Sequence, residues 1–109
     1  MNGKYLGYWQ AEIDDWVRMY EKPYWEPLSI LARVTEEVGE VARLLNYMYG
    51  DKPKKATEAR QELDEEIADV MYALMCLANS EGIDLDAAML KVIDKSKNRD
   101  KDRFKKKST

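Results

Sequence analysis

Residues 31–45 read LARVTEEVGEVARLL, and residues 63–77 read LDEEIADVMYALMCL. In the first stretch Leu31, Val34, Val38, Val41 and Leu45 recur at helical spacing; in the second Leu63, Ile67, Val70, Leu74 and Leu77 do the same. Both are amphipathic helices, and they share a word. Glu36-Glu37-Val38-Gly39-Glu40-Val41 matches Glu65-Glu66-Ile67-Ala68-Asp69-Val70 by class at every position. Two carboxylate-bearing helices of one pattern set the fold class as all-α.

The flanks extend that reading. Residues 6–22 carry Leu6, Trp9, Ile13, Trp16, Val17 and Tyr20 at helical spacing and stop at Pro23. Pro23 to Pro27 is an aromatic-rich break. The long second helix is expected from Leu28 until Gly50, and residues 51–55 form a loop. Thr57 offers a start for the third helix, which runs until Gly82. Asp84 can cap a fourth, with Leu85, Ala88, Met89, Val92 and Ile93 as its inner face. With no strand-like alternation, the expectation is a four-helix bundle forming one domain over residues 1–109, with residues 105–109 as a frayed basic tail.

Composition narrows the chemistry. The chain has no histidine and one cysteine, Cys76, so His/Cys zinc sites and Ser-His or Cys-His nucleophilic catalysis are excluded. Carboxylates, lysines, arginines and hydroxyls remain, with a hard metal as the natural helper. No apolar run reaches the ~18 residues of a membrane span, and the first residues lack a signal-peptide pattern, so a cytoplasmic protein without a membrane partner is expected. The net charge of −3 is uneven: from Lys91 onward nine basic residues face three acids, while the first 90 residues carry nine basic against 18 acidic. The tail reads as a solvated helix end, and no nucleic-acid partner is expected.

On a helical wheel Glu37 lies roughly 70° and Glu40 roughly 130° from the centre of the apolar stripe, and Glu66 and Asp69 take about the same offsets on their helix. If the helices pack antiparallel, four carboxylates converge at the edge of a core. Such a group is costly without a counter-ion, and its all-oxygen character suits magnesium (Mg2+) or manganese (Mn2+). The plain alternative is an acidic surface neutralised by Arg33, Arg43 and Arg60.

Glu36-Glu37-Val38-Gly39-Glu40, followed by Glu66-Ile67-Ala68-Asp69, resembles the E-E-x-x-E…E-x-x-D signature of MazG-type nucleoside triphosphate pyrophosphohydrolases. The resemblance extends to Pro27-Leu28 and Leu31-Ala32-Arg33, to the loop from Tyr49 to Thr57, and to the closing Asn98-Arg99-Asp100-Lys101-Asp102-Arg103. It implies an all-α fold in which Glu37, Glu40, Glu66 and Asp69 bind magnesium, and cleavage of a nucleoside triphosphate to monophosphate and pyrophosphate. Glu36, matching the first glutamate, would serve as an outer contact to the metal or activate water. Lys95 and Arg99 match the family's basic positions and would hold phosphates, with Asn98 and Arg103 in the same stretch. Trp25 and Tyr24 are the candidate base-stacking surface, ahead of Trp16. A phosphoribosyl-ATP pyrophosphohydrolase shares the carboxylate pattern, and a non-catalytic helical module is the alternative from another class.

A partner surface is also expected. Gly39 and Ala68 keep one flank of the repeat small, and glycine inside a helix costs about 0.8–1 kcal/mol relative to alanine. Met71, Tyr72, Met75 and Cys76 lie outside the Leu63–Leu74 stripe, which points to a homo-oligomer contacting through helix three. The resemblance implies a homodimer or a dimer of dimers with sites completed across the interface.

Overall fold

The structure, a computed structural model, describes residues 5–53 and 62–108. Four α-helices are present: α1 (Leu6–Val17), α2 (Pro27–Tyr49), α3 (Leu63–Ser80) and α4 (Leu85–Asp100), and no strand occurs among the described residues. The all-α expectation is met. Helix α2 opens on Pro27, whose fixed φ and missing N–H suit the first turn. Helix α1 is shorter than its apolar pattern predicts. It closes at Val17, and residues 18–26 fold back so that Tyr24 packs against the cluster of Ile13, Val17 and Met75. The expected helix start at Thr57 lies outside the described residues.

The α3–α4 corner is locally determined. Gly82 takes φ +69°, a conformation that L side chains rarely adopt. It lets Ile83 N–H reach Ala78 O at 2.8 Å and Gly82 N–H reach Asn79 O at 3.2 Å, closing α3 with a Schellman motif. Asp84 then caps α4 as its sequence predicts, accepting from the backbone N–H groups of Asp86 and Ala87.

Helices α2 and α3 lie alongside each other and run antiparallel: Arg33 is level with Asp69 and Tyr72, whereas Arg43 acts on Glu66. Ile30, Val34, Leu44 and Ala73 are buried. Helix α1 covers the C-terminal half of α3 and is fixed there by a polar latch. Gln10, itself buried, donates through Nε2 to Asn79 Oδ1 and Ile83 O and accepts from Leu85 N–H. Asn79 Nδ2 donates to Gln10 O and to Tyr24 Oη, and the Tyr24 hydroxyl donates to Asp14 at 2.6 Å. Buried polar groups demand such complete pairing.

Three expectations about packing are corrected. Apart from Val34, much of the expected α2 stripe does not face the core, with Leu31 and Val38 each 50% exposed, and on α3 Ile67 and Leu74 are exposed as well. The buried face is turned by about 60° toward Glu37, because α3 packs on the Ile30–Val34–Leu44 side and α1 reaches only the far half of α3. Conversely, Met75 is buried, and Tyr72 and Cys76 pack around the α1 contact. Of the four residues expected to form the partner surface, only Met71 stays largely exposed. Nor does α4 close a bundle. It packs chiefly on α1, buries none of its residues, and leaves Met89, Val92 and Ile93 in water. The radius of gyration, 17.9 Å, is correspondingly large beside the ~13 Å of a compact 100-residue domain.

Candidate metal centre and adjoining groove

The turn of the buried face that exposes Val38 carries Glu37 inward. From α3, Glu66 and Asp69 meet it, and carboxylate oxygens of the three residues lie within 4.8 Å of one another. Glu66 is only 6% exposed. Among the described residues no ion pair or side-chain hydrogen bond reaches its carboxyl group. Its pKa is raised, first by burial and then by the negative charges of Asp69, Glu40 and Glu37, with Arg43 opposing. Glu40 stands one turn further along α2 and pairs with Arg43 at 3.0 Å. Glu37 accepts from Arg33 Nε at 2.9 Å, and this hydrogen bond is the main cause holding the Arg33 guanidinium above its ordinary range.

This donor set fits a hard divalent cation. Three carboxylates at one point, one of them buried and without a cation of its own, form an all-oxygen group with no soft ligand. Arg33 and Arg43 offset part of the charge from outside, through Glu37 and Glu40, and leave Glu66 unpaired.

Beside the cluster lies a groove of about 430 Å³, within the ~300–1,000 Å³ range of small-molecule sites. Its walls are Trp16 from α1, Tyr20, Tyr24 and Trp25 from the segment between α1 and α2, and Arg33, Tyr72 and Cys76 from α2 and α3. Arg33 is shared: it holds Glu37 and lies over the Trp25 ring at 5.8 Å. Burial raises the pKa of both Tyr72 and Cys76, which favours the neutral thiol. Tyr24 contributes its ring, while its hydroxyl is engaged in the latch.

The remaining candidates are dispersed. Glu36 is exposed and outside the three-carboxylate cluster. Lys95, Asn98, Arg99 and Arg103 are exposed on or just beyond the end of α4, where Arg99 and Arg103 both pair with Asp100. No hydrogen bond or ion pair among the described residues links them to the cluster. Sequence reading gave Arg33, Tyr72 and Cys76 no place in a ligand site. Arg33 was visible as part of the Leu31-Ala32-Arg33 lead-in and as a cation that could neutralise the acidic words, and it does pair with Glu37 four positions on.

An antiparallel pair of helices bringing acidic words together beside an aromatic groove defines an all-α protein with a candidate divalent-metal site. The chain matches the family of MazG nucleotide pyrophosphohydrolase domains over residues 25–104, and it belongs to that family. It is 49% identical over 98 residues to the uncharacterised protein YpjD of Bacillus subtilis strain 168, covering 90% of this chain and 88% of that one. A second uncharacterised protein of the same strain, YvdC, is 34% identical over 89 residues, covering 72% and 84%. The crystal structure of YpjD from Bacillus subtilis superposes with a TM-score of 0.77 at 46% identity, covering 87% of this chain and 97% of that one. That of the Bacillus-conserved MazG protein, a nucleotide pyrophosphohydrolase, gives 0.74 at 36% identity, covering 87% and 91%. Among the described residues no helix is long and apolar enough to cross a membrane.

Proposed function

We propose that this protein is a magnesium- or manganese-dependent pyrophosphohydrolase that converts a nucleoside triphosphate to its monophosphate and pyrophosphate. The observation that carries this reading is the meeting of Glu37, Glu66 and Asp69, with Glu66 buried, next to a groove sized for a nucleobase. Family membership supplies the reaction class.

In this reading Glu37, Glu66 and Asp69 hold the metal, and Glu40 joins them when its side chain leaves Arg43. The bound ion would neutralise triphosphate charge and polarise a phosphoryl oxygen. Glu36, exposed on the neighbouring surface of α2, orients water or an outer contact. Arg33 holds the Glu37 side chain in place through their 2.9 Å hydrogen bond. The base stacks in the groove against Trp25 and the Tyr24 ring. Lys95, Arg99, Asn98 and Arg103 cannot serve a site from which their own helix stands apart, so they act on a second copy. A homo-oligomer would bring α4 of one protomer to the phosphates held by another and would cover the exposed Val38–Ile67–Leu74 seam.

The test is pyrophosphate release from a panel of nucleoside triphosphates with and without magnesium, followed by chromatography of the nucleotide product. Monophosphate and pyrophosphate, formed only with the metal, are expected. Accumulation of nucleoside diphosphate, or turnover indifferent to metal, would overturn the reading.

A further inference from the structure

We infer that the groove selects nucleobases whose pairing edge carries a carbonyl oxygen, the 4-oxopyrimidines and 6-oxopurines, over their amino counterparts, and that Arg33 is the residue that selects. This rests on the proposed function and deepens it.

The groove's polar inventory is one-sided. Arg33 has five N–H donors and no acceptor. Its Nε–H is given to Glu37, and among the described residues its two terminal nitrogens have no hydrogen-bond partner. Lys22, also on the wall, can only donate, and so can the indole N–H groups of Trp16 and Trp25. The tyrosine hydroxyls accept or donate and discriminate little. No carboxylate or carboxamide side chain lines the groove among the described residues. A base edge presenting a carbonyl oxygen therefore meets a fixed cationic donor. An exocyclic amine at the same position meets a donor with a donor and leaves the Arg33 N–H without an acceptor there.

Arg33 is also oriented for this task. Its guanidinium is fixed by the 2.9 Å bond to Glu37 and by the Trp25 ring beneath it. A planar fork fixed at one edge aims its remaining N–H groups in one direction, which a flexible ammonium cannot do. The same side chain touches the metal-site carboxylate Glu37, so the base-binding wall and the candidate metal site share one residue.

The experiment compares kcat/KM for UTP against CTP and for ITP against ATP. Within each pair the sugar and phosphates are the same, and the bases differ in size hardly at all. The keto member should be favoured about tenfold or more in both pairs, the range for a hydrogen bond to a charged donor. Arg33→Lys should shrink that ratio, and Arg33→Met should bring it near unity, whatever either variant does to turnover through Glu37. Quenching of tryptophan fluorescence by UMP and CMP, measured without metal on the unmodified protein and on both variants, gives the same comparison independently of catalysis. Equal kcat/KM within both pairs, a preference for the amino members, or a ratio unchanged in Arg33→Met would each overturn the inference and leave the pyrophosphohydrolase reading standing. Absence of pyrophosphate release from all four nucleotides would instead overturn that reading and this inference with it.

Discussion

Glu66 concentrates the cost of the acidic site in one side chain. Its folded-state pKa is raised by burial and by Asp69, Glu40 and Glu37, so the folded protein holds this proton more tightly than the unfolded chain does. The contribution to stability is fully present below the unfolded value and is lost as pH rises through the folded one. Metal-free protein should therefore lose stability as pH rises above about 4.5, and Glu66→Gln should flatten that limb and raise the metal-free melting temperature. Magnesium should stabilise the unmodified protein, by about 2.7 kcal/mol at a hundred times its Kd, and should do little for the variant. Melting curves with EDTA or magnesium across this pH range check both. A second residue-scale test concerns the latch. Tyr24→Phe removes the donor to Asp14 and the acceptor for Asn79 and should cost about 1–2 kcal/mol in urea unfolding. Burial, then the bond to Asp14, pushes the Tyr24 pKa up to about 12. Its contribution is thus present below the ordinary 10.0 and disappears as pH rises through about 12, an alkaline limb that the variant should lack.

At the level of elements, α1 depends on α4 for its start. Tyr5 provides no side-chain cap, and Asp86, from the first turn of α4, instead accepts from the N–H groups of Leu6 and Gly7 at 3.2 and 3.0 Å. Removing this carboxylate by Asp86→Ala should cost about 0.5–2 kcal/mol, the range for a lost N-cap. Gly7→Ala should also destabilise, although alanine favours helix, because its Cβ would lie 2.8 Å from Asp86 Oδ2; urea unfolding of the two variants checks this. Nothing local announced the contact, since residue 86 is far from residue 6 in the chain. The helices themselves were legible from Ile13, Val34, Val70 and their periodic neighbours, and the Gly82–Asp84 corner from turn and cap chemistry. The meeting of Glu37, Glu66 and Asp69 was legible because two matched words on antiparallel helices have few ways to pack. Periodicity marked Leu31, Val38 and Leu45 as one apolar face but carried no information on what covers it, and assigning it to the core turned α2 by about 60°. The place of Arg33 and Tyr72 in the groove was not legible, because a groove wall is defined by several elements at once.

For the whole molecule the unresolved debt is apolar surface. Leu31, Val38, Leu45, Ile67 and Leu74 form a seam along α2 and α3 that stays exposed among the described residues, and Met89, Val92 and Ile93 repeat the situation on α4. Exposed patches of this kind mark association surfaces. Gly39 sits within the seam's reach, and a Cβ built there meets nothing within 4 Å. That vacancy makes it a clean probe. Within one protomer Gly39→Leu has room, and it should strengthen α2 by up to about 1 kcal/mol through helix propensity alone. If a second copy approaches closely at this flank, the same leucine obstructs it. Light scattering should give an oligomeric mass for the unmodified protein and a smaller one for Gly39→Leu, with helical circular dichroism retained, and Val38→Asp should act in the same direction. Lys106→Ala, on the exposed tail, should leave the mass unchanged. A unit of 12.7 kDa for the unmodified protein at micromolar concentration would mean that the seam stays in water and that α4 never reaches a neighbouring site. An oligomer indifferent to Gly39→Leu and Val38→Asp would place the contact on α4 instead.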